Sequence, residues 1–199
     1  MQIDPANYSG SVYHLVTSTV IPRPIGWASS LDANGVRNLA PFSFFNAVSG
    51  EPPIMMLSVG QRSGRAKDTL GNITTTREFV LNIVGEHVAQ QMNQTSGSFA
   101  PDVDEFTVSG LSAIPSVKVK PPRVAEAAVT MECVLLQTVP LPRSEYTLIL
   151  GEVVWFHIDD QILDERGRVD PVKLAPVARL GGSSWYTTLG RIFEMKRPP

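Results

Sequence analysis

Glycine and proline are spread along this chain between short apolar runs, 15 of the one and 16 of the other, with no single linker that collects them. Each proline restricts its own φ and the residue before it, and each glycine marks a place where the chain can reverse. Long helices do not survive such punctuation, so the pattern predicts a β-rich chain of short strands and many turns. A length of 199 residues and a mass of 21.7 kDa suit one large domain, 1–199, that buries roughly 70% of its unfolded surface. Such a core needs no disulfide or structural metal. Cys133 is the only cysteine and the three histidines are scattered, which excludes a disulfide framework and leaves little for zinc or an iron–sulfur cluster.

Charge and hydropathy narrow the function classes. The formal net charge is −2 and the sequence pI about 5.9, so the basic footprint that nucleic-acid binding needs is missing. No apolar run approaches the ~18 residues that span a bilayer, and the opening MQIDPANYSG lacks a charged-then-apolar secretory layout. The expectation is a cytoplasmic protein with neither nucleic acid nor membrane as partner. The sequons at Asn72 and Asn93 carry no meaning without a secretory signal.

Along the chain, 11–16 suits a short helix and Ile21-Pro22-Arg23-Pro24 an extended lead into a strand over 25–31. Asn34-Gly35 is a strong hairpin signal because both positions tolerate positive φ. Further strands are predicted over 42–48, 54–59 and 79–84, and two longer ones over 127–136 and 146–158. In the first of these two, Val129, Met131, Cys133 and Leu135 share one face. Helices are predicted over 67–76, 87–95 with Val88 and Met92 inward, and 104–108. The architecture is a β-barrel or sheet with helices at its edge.

Three stretches carry chemistry. Trp27-Ala28-Ser29-Ser30 ends a strand with two hydroxyls beside small residues, which suits an anionic oxygen and equally a strand turning polar before its hairpin. Asn38-Leu39-Ala40-Pro41-Phe42-Ser43-Phe44-Phe45-Asn46 combines aromatics, amides and a stiffened backbone. It can lie against a planar ring with its phenylalanines in the core, and Asn38 and Ser43 are the two members that packing alone does not explain. Lys67-Asp68-Thr69 opens a helix with Asp68 or Thr69 as its cap. There, unpaired N–H groups, the positive end of the helix dipole and the Lys67 charge all favour a phosphate, although capped helix starts beside a lysine also occur without any ligand.

In order, PRPIGWASS, the Asn-Gly hairpin, NLAPFSFFN, KDTLGNI and EFVLNIV, followed by Asp104-Glu105-Phe106, Pro122-Arg123-Val124, Leu150-Gly151-Glu152-Val153 and Arg179-Leu180-Gly181-Gly182 to Tyr186, resemble the flavin reductase-like family of FMN-binding split barrels. That family includes the reductase components of two-component monooxygenases and flavoredoxin-like proteins. The resemblance covers nearly the whole chain and implies a β-rich (α+β) fold, a Greek-key split β-barrel with a few peripheral helices. It also implies FMN as cofactor, with Ser29 and Ser30 at its phosphate or ribityl chain along with Lys67, Asp68 and Thr69. Asn38, Leu39, Ala40 and Ser43 would line the isoalloxazine, with Trp27 and Ala28 nearby and Arg179 reaching the flavin of its own or a neighbouring subunit. Ser30 stands where many relatives carry threonine, which keeps the oxygen.

The remaining polar residues read as structural. His157 suits a partly buried histidine satisfied by a neighbour, with a contact to flavin or nicotinamide as the alternative. Cys133 is a small inert core residue, Asp159-Asp160 a solvated turn, and 164–168 a hairpin tip. Two function classes follow from the resemblance. One is an FMN-dependent NAD(P)H:flavin oxidoreductase with NADH or NADPH as transient hydride donor and a monooxygenase or other acceptor, needing no catalytic side chain. The other is a non-enzymatic FMN-binding electron carrier. The aromatic chain end, with Val177, Arg179, Trp185, Tyr186 and Phe193, predicts a homodimer whose sites lie near the subunit boundary.

Overall fold

A computed structural model describes residues 1–61 and 64–198. The chain opens with α1 (Val12–Thr19), then β1 (Arg23–Pro24), β2 (Gly26–Leu31), β3 (Arg37–Phe42), β4 (Phe45–Gly50) and β5 (Pro53–Gly60). Next come α2 (Asp68–Thr76), β6 (Glu78–Ile83), a 3-10 turn over Glu86–Val88, α3 (Ala89–Gln94) and α4 (Glu105–Ser109). The second half holds β7 (Ala113–Ile114), β8 (Arg123–Val124), the long β9 (Val129–Pro140) and β10 (Tyr146–Ile158), a 3-10 turn over Asp160–Ile162, α5 (Pro171–Leu174), β11 (Ala178–Arg179) and β12 (Tyr186–Thr187). Among the described residues no helix is long and apolar enough to cross a membrane.

Seven strands form one antiparallel sheet in the order β3-β2-β6-β9-β10-β5-β4. Its two ends, β3 and β4, are consecutive in the chain and separated only by Ser43 and Phe44. Laid flat, strands six spacings apart would sit ~29 Å from each other, whereas the link from Phe42 to Phe45 spans at most ~11 Å. The sheet therefore curls to bring its edges close, and the Phe44 carbonyl of the link accepts from the Ser58 N–H at 2.8 Å, carrying the β4–β5 ladder one residue further toward β3. The strand predicted over 42–48 is in fact two, because the chain must leave one edge and join the other. The hairpin at Asn34-Gly35 forms as expected, with Gly35 at φ +87° and Asp32 Oδ1 accepting from the Asn34 and Val36 amides at 2.8 and 2.7 Å.

Curling gives the strands an inside and an outside. Ala28, Phe79, Leu81, Met131, Cys133 and Leu135 point inward with Ile73 of α2 plugging the barrel, which is the period-2 face expected for β9. Burial also pushes the Cys133 thiol far up, so it is inert. Trp27 and Leu39, their side chains on the outer face, pack with Val88, Met92 and Phe106 under α3 and α4. The helix predicted over 87–95 starts as a 3-10 turn and becomes regular only at Ala89.

A buried carboxylate ties the long strands to the loop before β8. Glu132, on β9, is fully buried. Its Oε1 accepts from the Val117 amide (2.7 Å) and from His157 Nε2 (2.6 Å), and its Oε2 accepts from the Lys118 and Val119 amides (2.6 and 3.2 Å). Burial alone would raise its pKa, but the His157 bond and the three amides outweigh it and hold the carboxyl below its ordinary value. His157 is thus a histidine satisfied by a neighbour.

Two predictions follow from this packing. A Cβ on Gly151 would lie 2.3 Å from Phe79 Cζ and 3.4 Å from Cys133 Cβ, and the Phe79 ring is itself buried in the core cluster, so Gly151→Ala should cost about 1–3 kcal/mol in denaturant unfolding. A lowered carboxyl pKa contributes stability above the unfolded-state value and loses it as pH falls through the folded value. Between about pH 5 and pH 3 the unfolding free energy should therefore drop less steeply in Glu132→Gln than in the native protein, although the variant is weaker at pH 7.

Candidate functional site

Where β3 runs past the start of α2, a cleft of about 430 Å³ opens between them, within the ~300–1,000 Å³ usual for ligand sites. One wall is Asn38, Ala40 and Pro41 of β3. The opposite wall is Arg65, Ala66, Lys67, Asp68 and Thr69, and the rim is Thr95, Ser96, Gly97, Phe99 and Pro101.

Local sequence fixes each part. Asp104 caps α4 by accepting the Phe106 amide at 3.0 Å, and the same carboxylate pairs with Arg37 of β3. That pair brings α4 against β3, so the next residue, Glu105, faces the strand. Glu105 is only 5% exposed; its Oε1 accepts from Asn38 Nδ2 at 2.9 Å and its Oε2 from the Leu39 amide at 3.0 Å. Asn38 Oδ1 in turn accepts from Thr69 Oγ1 at 2.8 Å and Ser30 Oγ at 3.4 Å. Four elements are thereby joined beneath the cleft. Burial pushes the Glu105 carboxyl up, and nearby Asp68 adds to this, while the Leu39 and Asn38 hydrogen bonds oppose it.

Lys67 is the N-cap of α2, in place of the expected Asp68 or Thr69, because the Thr69 hydroxyl is committed to Asn38. The Lys67 side chain makes no cap hydrogen bond to this nine-residue helix, and the positive helix end opens on the cleft beside Arg65 and Lys67, whose Nζ sits 5.2 Å from the Phe42 ring centroid. A cationic end, a wall of Ala40 and Pro41 and the Phe99 ring at the rim suit a ligand with an anionic group and a planar body.

Of the residues singled out in the sequence, the structure brings Asn38, Ala40, Lys67, Asp68 and Thr69 to this cleft. Ser29 and Ser30 are fully buried, which departs from hydroxyls open to a ligand: the Ser29 hydroxyl donates to the Pro122 carbonyl, and Ser30 Oγ lies between Asn38 and Asn72 Nδ2 (3.2 Å). Trp27 is also buried, its indole N–H donating to rim residue Thr95 at 2.9 Å. Ala28 faces the barrel interior and Leu39 the outer core. Ser43 lines an adjoining hollow of about 200 Å³ with Tyr13, Phe44 and Tyr146; this hollow shares Pro41 and Lys67 with the cleft. Arg179 lines neither; it lies 4.5 Å over the Tyr186 ring and donates to the Ser183 carbonyl at 2.7 Å. Sequence reasoning missed Glu105, Arg65 and the 95–101 rim. Glu105 looks like any first-turn acidic residue until α4 is known to lie on β3.

Residues 17–173 match the model of the flavin reductase like domain. An uncharacterized protein of Aquifex aeolicus is 43% identical, covering 90% of this chain and 91% of its own. The structure of nitrilotriacetate monooxygenase component B from Bacillus cereus superposes with a TM-score of 0.93 at 34% identity, covering 98% of both chains. A flavin reductase with a split barrel domain from Shewanella frigidimarina superposes at 0.86, covering each chain fully, and at 21% identity that likeness concerns fold. With the matched region spanning most of the chain and the same curled sheet, this protein belongs to the flavin reductase-like domain family of split-barrel, flavin-related oxidoreductases.

Proposed function

We propose that this protein binds FMN and passes electrons from NADH or NADPH through it to a separate acceptor. A monooxygenase is the kind of acceptor suggested by the name of the Bacillus cereus relative. The observation that carries this reading is the two-ended cleft, cationic at the start of α2 and lined along β3 by Asn38, Ala40 and Pro41. FMN, when bound, supplies the two-electron chemistry. The chain's own residues bind and orient it: Lys67, Arg65 and the first N–H groups of α2 hold the phosphate, framed by Asp68 and Thr69. Asn38, Ala40 and Pro41 offer the ring a wall with hydrogen-bonding groups.

Ser30 acts from behind by supporting Asn38, Ser29 by holding Pro122, and Trp27 by fixing Thr95, with Ala28 filling the barrel beneath. The hollow by Ser43, under Tyr13, Phe44 and Tyr146, leaves room for a nicotinamide. No side chain needs to act as acid or base. A homodimer fits the same picture: Trp185 and Phe193 are 68% and 67% exposed, and a second copy covering them would give Arg179 a route to a neighbouring site.

With FMN added, the protein should oxidise NADH or NADPH catalytically, and it should bind FMN more tightly than riboflavin in fluorescence titrations. Lys67→Ala should weaken FMN about tenfold and riboflavin far less, as loss of one phosphate contact predicts. Equal losses for the two flavins would move the phosphate elsewhere.

A further inference from the structure

Asn38 is the one cleft residue whose carboxamide could present either a donor or an acceptor, and its surroundings decide which. Both lone pairs of its Oδ1 are taken, by the hydroxyls of Thr69 and Ser30. One of the two Nδ2 hydrogens goes to Glu105 Oε1. What remains for the cleft is a single N–H donor. The two hydroxyls could accept as easily as donate, so they do not set this orientation.

Glu105 does set it. Its Oε2 is held by the Leu39 amide, which is part of the β3 backbone and cannot rotate. As a carboxylate, Glu105 has only acceptors to offer, so Oε1 can face Asn38 only through the amide nitrogen. We infer that Glu105 is a positioning residue: it fixes Asn38 with its N–H toward the cleft and so selects a ligand carrying a hydrogen-bond acceptor, such as a flavin carbonyl or ring nitrogen, against β3. The ligand half of this inference rests on the flavin reading above; the orientation half does not.

The isosteric change Glu105→Gln tests it sharply. The Leu39 N–H will hold the oxygen of the new side chain, which turns its NH2 toward Asn38 and forces the Asn38 amide to flip. Changing both residues, Asn38→Asp with Glu105→Gln, keeps the total charge and satisfies every hydrogen bond in the network, yet leaves only acceptors facing the cleft. Stability and recognition therefore separate.

The experiment combines NMR of the ligand-free protein, denaturant unfolding, and fluorescence titration with FMN and riboflavin for the native protein, Glu105→Gln and the double variant. In the native protein the Asn38 side-chain amide protons should show cross-peaks to the Leu39 amide region and to Glu105, and in Glu105→Gln they should move toward Thr69. Glu105→Gln should weaken both flavins by a similar factor of about ten, unlike the phosphate-selective effect of Lys67→Ala. The double variant should regain native unfolding stability without regaining flavin affinity. Recovery of affinity together with stability would overturn the inference by making Glu105 a packing residue only, and so would native amide protons that face Thr69. A native protein that binds no flavin while its Asn38 amide faces Glu105 would refute the flavin reading and leave the positioning role intact.

Discussion

Ser43 and Phe44 are all that connects the two outermost strands of a seven-stranded sheet, and that short connection dictates the rest of the molecule. A link of ~11 Å cannot bridge the edges of an open sheet, so the sheet must curl. Once curled, each strand acquires an inner face that packs around Phe79 and Met131 and an outer face that α3 and α4 must cover. The edges are held close by the two-residue link, whose Phe44 carbonyl accepts from the Ser58 amide of β5. Gly151 belongs to the same requirement, since only a missing Cβ lets β10 pass over the Phe79 ring.

The cleft is a consequence of that closure. One side of it belongs to β3, an edge strand that meets α2 through its inner face and α4 through its outer face. The Arg37–Asp104 pair and the Glu105 hydrogen bonds draw α4 onto it, and the Thr69–Asn38 bond draws in α2. One network therefore holds the walls apart at a fixed distance and sets which polar groups face inward. The positive end sits where α2 begins and the buried negative charge of Glu105 lies beneath β3, so the cleft carries a built-in polarity from the helix start toward the strand.

Much of this was legible in the residues. Alternation along β9 exposed an inward face from Val129 to Leu135, Asn34-Gly35 located the first hairpin, and Lys67-Asp68-Thr69 marked a helix start beside a charge. The apolar run through Phe45 concealed the break at Ser43-Phe44: Phe42 and Phe45 both pack in the inner core although they are three positions apart, and in a run of three phenylalanines only the pairing reveals the change of edge. Ser29 and Ser30 looked available because a sequence does not show that Pro122, 93 positions beyond Ser29, returns to take its hydroxyl. Glu105 was invisible for the same reason: its meaning comes from a contact with residues 66 and 67 positions away.

The central claim is that the flavin occupies the cleft between β3 and the start of α2. Amide hydrogen exchange with and without FMN tests this most directly. Slowed exchange confined to residues 38–44 and 64–72 is the predicted result. Protection that appears instead around 125–128 and 159–162, or no protection at FMN concentrations that saturate binding, would contradict it.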